Sequence, residues 1–340
     1  MHNDWTRREV VRAGAVGGVV AAAAGLGWWP RRVMGQGGSV GGSAGGNSAG
    51  AGVSAGRKRS IRLVHMTDMH IQPERRAFEG VGACLRNMQS MEDKPALILT
   101  GGDLIMDSFD QGAERTRELW ALWTRVIKDE CSLPVEHCLG NHDIWGWNKK
   151  QSKTTGEEAQ WGKRWALDVL GLERPYRTFD RAGWRFVVLD SVHPLNEGYV
   201  GRLDEEQFAW LERTLAATPA GMPVLLLSHI PILSVTPIAL PKDDVVAQHS
   251  GPVSQMMSDM PRLVRLFDKH RNVKVCLSGH MHMLDRVEFQ GVTYMCDGAV
   301  CGAWWKGAHN GCGEGYAVID LFDDGSVERA YRSYGWKAEV

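Results

Sequence analysis

From residue 60 onward the chain alternates short apolar runs with longer amphipathic stretches. The runs at 61–66, 96–99, 135–139, 186–189, 224–227 and 273–277 are too short for typical helices and read as buried strands. Between them, 76–91, 113–129, 204–217 and 261–270 place apolar residues at helical spacing. The third of these opens on Asp204-Glu205-Glu206 and then spaces Phe208, Leu211 and Leu215 along one face, as a capped amphipathic helix does. Residues 177–190 read as two strands joined at Arg181-Ala182-Gly183. Residues 287–296 and 316–333 read as further strands, with a turn at Asp323-Asp324-Gly325. Interior strands separated by helices predict two packed sheets flanked by helices. The sequence contains no internal repeat.

The first 59 residues keep to no such pattern. Fifteen of the 40 glycines fall within the first 56 positions, where charge is sparse. Thr6-Arg7-Arg8-Glu9-Val10-Val11-Arg12 precedes a weakly apolar stretch from Ala13 to Trp29. Twin arginines ahead of such a run resemble the bacterial twin-arginine signal, which carries folded proteins out of the cytoplasm. Residues 1–34 are therefore expected to be that signal, 35–59 a Gly/Ser-rich linker, and 60–340 the functional domain. A stretch of about 17 apolar residues is also the low limit for a membrane span. A retained anchor is thus the alternative to a processed signal, and the only membrane contact expected. The mature protein belongs in the periplasm or outside the cell.

Charge sharpens the picture once the leader is set apart. The first 59 residues carry eight Lys/Arg and two Asp/Glu, which leaves 31 against 38 in the remainder, a net charge of −7. An acidic body argues against nucleic acid as a partner. The seven cysteines are scattered singly, so no C-x-x-C zinc site is expected. Export would permit disulfides, with Cys296, Cys301 and Cys312 the closest group, and an odd count leaves at least one thiol unpaired. The sequence sets no oligomeric state.

The residues that can carry chemistry stand just beyond the strands. Asp68-Met69-His70 comes after the first, Gly101-Gly102-Asp103 after the second, and Gly140-Asn141-His142-Asp143 after the third. Ser228-His229 comes after the run at 224–227, and Gly279-His280-Met281-His282 after that at 273–277. In α/β sheets ligands collect beyond the carboxyl ends of strands, so these residues are expected to converge. Each motif alone is weak. The ordered set of five, with its glycines, is specific.

With these five motifs the chain resembles the calcineurin-like metallophosphoesterase superfamily. They are D-x-H at 68–70, G-D at 102–103, G-N-H-D at 140–143, a lone His229 and G-H-x-H at 279–282, and the likeness spans about 60–335. The resemblance implies a four-layer α/β/β/α sandwich of two mixed sheets flanked by helices. It implies one metal held by Asp68, His70, Asp103 and His282, and a second held by Asp103, Asn141, His229 and His280, with Asp103 bridging. His142 would face the substrate as the catalytic group. The implied reaction is hydrolysis of a phosphodiester or phosphomonoester by hydroxide made at a binuclear centre. Imidazole and carboxylate donors without thiolate suit Fe, Mn or Zn better than Mg or Ca.

Finer features narrow the branch. His70 and Met106 stand where purple acid phosphatases carry Gly and Tyr. Gly201-Arg202-Leu203-Asp204-Glu205-Glu206-Gln207 through Trp210-Leu211 resembles the cyclic-nucleotide and glycerophosphodiester phosphodiesterases. The expected partner is a small phosphate ester. Rival readings are a nuclease of the same superfamily and a metal-bearing binding protein without turnover.

Fourteen tryptophans, several near these motifs, allow two readings. Trp145, Trp147, Trp304 and Trp305 either form an aromatic rim over the metals, with Lys306 near the phosphate, or cover the sandwich edge. Trp120, Trp123 and Trp210 fall at helical spacing and belong to the core. His65, His137 and His270 read as structural, whereas His193, His249 and His309 lie in loops. The proline-rich stretch 230–257 after His229 reads as a lid or an irregular loop.

Overall fold

The computed structural model describes residues 56–239 and 254–339. The export signal, most of the linker and His249 lie outside the described residues, as does the middle of the stretch at 230–257. In chain order the strands are β1 (Arg59–Met66), β2 (Ile98–Thr100), β3 (Val135–His137), β4 (Arg177–Arg181), β5 (Trp184–Val188), β6 (Val192–Leu195) and β7 (Gly198–Gly201). They continue with β8 (Val224–Leu227), β9 (Val273–Ser278), β10 (Asp285–Phe289), β11 (Val292–Cys296), β12 (Gly315–Phe322) and β13 (Val327–Ser333). The helices are α1 (Ala77–Gln89), α2 (Ala113–Glu130), α3 (Lys149–Ser152), α4 (Arg164–Leu170), α5 (Glu205–Ala216), α6 (Thr236–Ala239) and α7 (Met260–Lys269).

One sheet has the order β13-β12-β1-β2-β3 and the other β10-β11-β9-β8-β5-β4. Both are mixed. β1, β2 and β3 run parallel while β12 and β13 are antiparallel additions. In the second sheet β5, β8, β9 and β11 are parallel, with β4 and β10 antiparallel at the edges.

Adjacent strand residues supply two different cores, because successive side chains leave opposite faces. Leu63, Leu99, Phe186, Leu225 and Val275 meet between the sheets. Their neighbours Val64 and Ile98 turn outward to α1 and α2, with Trp120 and Trp123 among the contacts. On the other side Val187, Leu226 and Cys276 turn to α5 and α7. Three apolar layers between four structural layers give the α/β/β/α sandwich. The expected capped helix is α5, where Asp204 Oδ1 accepts the Gln207 N–H at 2.7 Å.

Some elements are not visible in the pattern of the sequence. β1 begins at Arg59, inside the stretch assigned to the linker. The ribbon β6–β7 and the short helices α3, α4 and α6 carry too few residues for a periodic signal. All seven cysteines, which lie among the described residues, are free thiols. His65 is buried as a structural residue, its Nδ1 2.7 Å from Asp297 Oδ2, and Arg329 bonds the same carboxylate at 3.0 Å.

Candidate metal centre

The parallel strands of both sheets end at one edge of the sandwich, and the residues beyond them form one cluster. β1 delivers Asp68 and His70, β2 delivers Asp103, and β3 delivers Asn141 and His142. From the other sheet β8 delivers His229, and β9 delivers His280 and His282. The chain turns so sharply here that five of these residues have left-handed backbone: Asp68 (φ 55°), His70 (43°), Asp103 (52°), His280 (69°) and His282 (54°). For residues with a Cβ that conformation costs roughly 1–3 kcal/mol each, and it persists where surrounding bonds over-determine it. Here Asp68 N–H donates to Gly102 O at 3.0 Å, His70 N–H to Asp103 O at 3.0 Å, and His280 N–H to Asp68 Oδ2 at 2.9 Å. Gly140 is required at its position because a Cβ there would collide with the Asp103 carboxylate.

The donors fall into two groups that share one atom. In the first, His70 Nε2 lies 3.1 Å from His282 Nε2, which is 3.3 Å from Asp68 Oδ1. In the second, His229 Nε2 lies 3.1 Å from both Asn141 Oδ1 and His280 Nδ1. Asp103 Oδ2 is 3.6 Å from His70 Nε2 and 3.2 Å from His229 Nε2.

These separations can be tested against a cation. Two nitrogens bound at about 2.1 Å to one ion lie roughly 3.0–3.4 Å apart in octahedral or tetrahedral geometry. Nδ1 of His282, His229 and His70 faces the carbonyl of Gly302 (2.6 Å), Gly101 (2.7 Å) and Met106 (3.3 Å) respectively. That arrangement fixes the tautomer with each Nε2 lone pair turned inward. Converging lone pairs repel unless positive charge lies between them. In the protein alone the neighbouring carboxylates favour protons there. Burial lowers an imidazole, but Asp103 outweighs burial at His229 and raises it to about 9; Asp68 likewise raises His282 well above its usual range. His70 is lowered to about 3 by burial and then by His142, and His280 to about 3 by burial and then by His229. In each group the carboxylate thus favours positive charge among the ring nitrogens. The donor set therefore fits a cation in each group.

The remaining candidates divide. His142 lines the cavity beside the donors, its ring edge-on to His70 at 4.7 Å and its Nε2 4.0 Å from Asp103 Oδ2. Trp304 lines the same cavity and packs on His282 with ring centroids 4.6 Å apart. Trp305 and Trp145 are not rim residues. Trp305 is fully buried between Gly80 of α1 and the cluster, donating Nε1–H to His70 O at 3.0 Å. Trp145 is 5% exposed, donates to Gln111 O and packs edge-on against Trp165 at 5.0 Å. Adjacent positions in a tight turn point to opposite sides, which the sequence does not reveal. Lys306 is exposed and is not among the residues lining the cavity. Trp305→Ala is expected to cost about 3–5 kcal/mol of stability, read as a lower denaturation midpoint. Trp304→Ala is expected to leave the midpoint near wild type.

Several residues carry no signal in the sequence. Cys301 is buried, with Sγ within 4.8 Å of ring nitrogens of His70 and His282. Asp107 lies 3.5 Å from His142 Nδ1, and Ser108 bonds the His142 carbonyl through both N–H and Oγ at 2.8 Å. Asp143 belongs to the third motif, but its work there is visible only in three dimensions. Its carboxylate accepts N–H groups of Leu104 (2.8 Å), Ile105 (3.3 Å) and Gly140 (2.8 Å), joining the loops that carry Asp103 and Asn141. Asp143→Ala would strand three buried donors and is expected to cost about 3 kcal/mol or more. Thermal unfolding reads the loss; an unchanged transition would refute the role.

A cluster of Asp, His and Asn side chains at the strand ends of such a sandwich defines a metal-dependent phosphoesterase. A model described as calcineurin-like phosphoesterase matches residues 61–284, and the chain belongs to that family. A probable cyclic nucleotide phosphodiesterase of a Synechococcus species is 26% identical over 235 residues, 67% of this chain and 76% of that protein. The 3′,5′-cyclic adenosine monophosphate phosphodiesterase of Escherichia coli is 25% identical over 285 residues, 80% of this chain and 89% of its own length. These relatives agree with the branch expected from residues 201–211. A dimetal phosphatase from Danio rerio shares the fold, with a TM-score of 0.56 at 17% identity, covering 82% of this chain and 97% of the other.

Proposed function

We propose that the protein hydrolyses a small organic phosphodiester, with phosphomonoesters as weaker substrates, at a centre of two cations. Asp68, His70, Asp103 and His282 hold the first, and Asp103, Asn141, His229 and His280 the second. The observation that carries this reading is the position of Asp103 Oδ2 within 3.6 Å of donors in both groups. A cation pair of this kind, Fe, Mn or Zn by the donor chemistry, supplies an activated water near neutral pH and neutralises the phosphate.

The protein's own groups do the rest. Each Nδ1–H bond to a carbonyl fixes an imidazole for binding without a search through rotamers. His142 holds a proton at Nε2 in the cavity, where the departing oxygen of the ester would sit. Asp107 faces the ring from behind, with Oδ1 3.5 Å from Nδ1, and Ser108 holds the His142 backbone through its carbonyl. Trp304 covers the first group and excludes water from one side. Among the described residues no Lys or Arg lines the cavity, which disfavours a polyanion such as nucleic acid.

The test is metal analysis followed by assay of the loaded protein on cyclic nucleotides, alkyl diesters and monoesters. Two cations per chain and turnover of a diester are expected. Stoichiometric metal with no hydrolysis of any ester would favour the binding-protein reading instead.

We further propose that the protein works outside the cytoplasm, carried there by the twin arginines at positions 7 and 8. A route for folded proteins suits one that takes up cations as it folds. Arg7→Lys with Arg8→Lys is expected to leave folded, active protein in the cytoplasm of a bacterial host. Normal export of the double variant would sink the assignment.

A further inference from the structure

The two oxygens of Asp68 have different partners. Oδ1 faces the first donor group, 3.3 Å from His282 Nε2 and 3.9 Å from His70 Nε2. Oδ2 accepts the Thr67 hydroxyl at 2.6 Å. The His280 N–H also leans toward Oδ2, at 2.9 Å against 3.2 Å from Oδ1. With two donors, the lone pairs of Oδ2 are engaged. Those of Oδ1 remain for the first group.

The Thr67 side chain is held in this position from several directions. Thr67 is fully buried, and its branched side chain is stiff at χ1. A Cβ on Gly101 or on Gly279 would collide with its Oγ1, so a glycine beyond each sheet closes on the hydroxyl. The Cβ on Gly101 would also collide with His65 Nε2, the ring that Asp297 holds at 2.7 Å. The backbone is fixed as well. Thr67 O and Asp68 O accept the N–H groups of Val300 at 2.9 Å and Cys301 at 3.3 Å.

Any carbonyl would satisfy a buried hydroxyl. This one instead gives its single proton to a carboxylate in a short, charge-assisted bond. We infer that Thr67 is a positioning residue: its hydroxyl withholds Oδ2 and leaves Oδ1 as the one oxygen of Asp68 presented to the first cation. Without it the carboxylate would be free to turn about its Cβ–Cγ bond, and cation binding would have to fix it. This rests on the two-cation reading above and adds what orients one of its donors.

The test titrates the metal-free full chain with Mn²⁺ and reads the number of cations bound and the affinity of each. Thr67→Val keeps the branched shape and removes the hydroxyl, whereas Thr67→Ser keeps the hydroxyl. Wild type is expected to bind two cations. Thr67→Val should bind one of them about 10–100-fold more weakly, and Thr67→Ser should bind both as wild type does. Rescue by serine separates the hydroxyl from the packing of the methyl group. Thermal unfolding of the metal-free variants checks the fold; should Thr67→Val not fold, Thr67→Ala is read against Thr67→Ser in its place. Unchanged affinities in Thr67→Val, or a Thr67→Ser as weak as Thr67→Val, would overturn the assignment; with two cations still bound, the reading of the centre would stand. A single cation in wild type, weakened by valine and restored by serine, would keep the assignment and remove the two-cation reading. No uptake by wild type would overturn both.

Discussion

Asp103→Asn is expected to abolish turnover and to empty both donor groups of cation at once. Asp103 Oδ2 is the atom the two groups share, at 3.6 Å from His70 Nε2 and 3.2 Å from His229 Nε2. Its other oxygen accepts the backbone N–H of His142 at 2.8 Å, so the carboxylate is held at both ends. Asparagine keeps the size and can keep that bond. It removes one unit of negative charge from the point where two cations would meet, and leaves an amide where an anionic oxygen was. Loss of an outer-shell partner alone costs about 10–100-fold in metal affinity; loss of a shared inner donor should cost more at each group. The substitution of any unshared donor, such as Asn141, is expected to empty one group and spare the other. Elemental analysis of the two variants separates the cases. Two cations per chain with normal turnover in Asp103→Asn would refute the sharing.

His142→Ala should keep its cations and lose activity selectively, according to the leaving group. His142 neighbours Asn141 in sequence but lies outside both donor groups, with Nε2 in the cavity and Nδ1 3.5 Å from Asp107. As the ester bond breaks, negative charge builds on the departing oxygen. An alkoxide is a poor leaving group and needs a proton at that moment, whereas nitrophenolate leaves without one. Such proton donation is typically worth about 10²–10⁴-fold. Alkyl diesters should therefore slow by that factor, and nitrophenyl esters far less. Equal losses on both would make His142 a group that positions the phosphate. Loss of one cation would make it a ligand, a reading its nearness to His70 and Asp103 keeps testable.

Much of the fold is legible in the sequence because both sheets are buried on both faces. Strands of that kind announce themselves as apolar runs, as at Val224–Leu227 and Val273–Ser278. The helices between them keep a helical period because each buries only one side, as in α2 and α5. The ribbon β6–β7 is not legible, since four-residue strands at the surface need no apolar pattern. The clustering of Asp68, Asp103, Asn141, His229 and His280 comes from a topological rule, that parallel strands end on one edge. What that rule cannot give is the direction of a side chain within a tight turn. Trp304 and Trp305 are adjacent, both with left-handed backbone at φ 51° and 66°, yet one faces the cavity and the other fills the core. Asp143 is hidden for a different reason: its work is done on backbone N–H groups, which carry no sequence signature.

Each donor group draws on both sheets. The first takes Asp68, His70 and Asp103 from one sheet and His282 from the other; the second takes Asp103 and Asn141 from one and His229 and His280 from the other. On the proposed assignment the cations would act as rivets, pinning the two halves of the sandwich along a single seam. The opposite seam, at the amino ends of the same strands, is closed by apolar contact and by single hydrogen bonds such as Trp184 Nε1–H to Phe322 O at 3.0 Å. A chelator would then do more than stop the reaction. It would let the sandwich part at one margin, like a book released from its clasp, and amide hydrogens near Gly101 and Gly279 would exchange first.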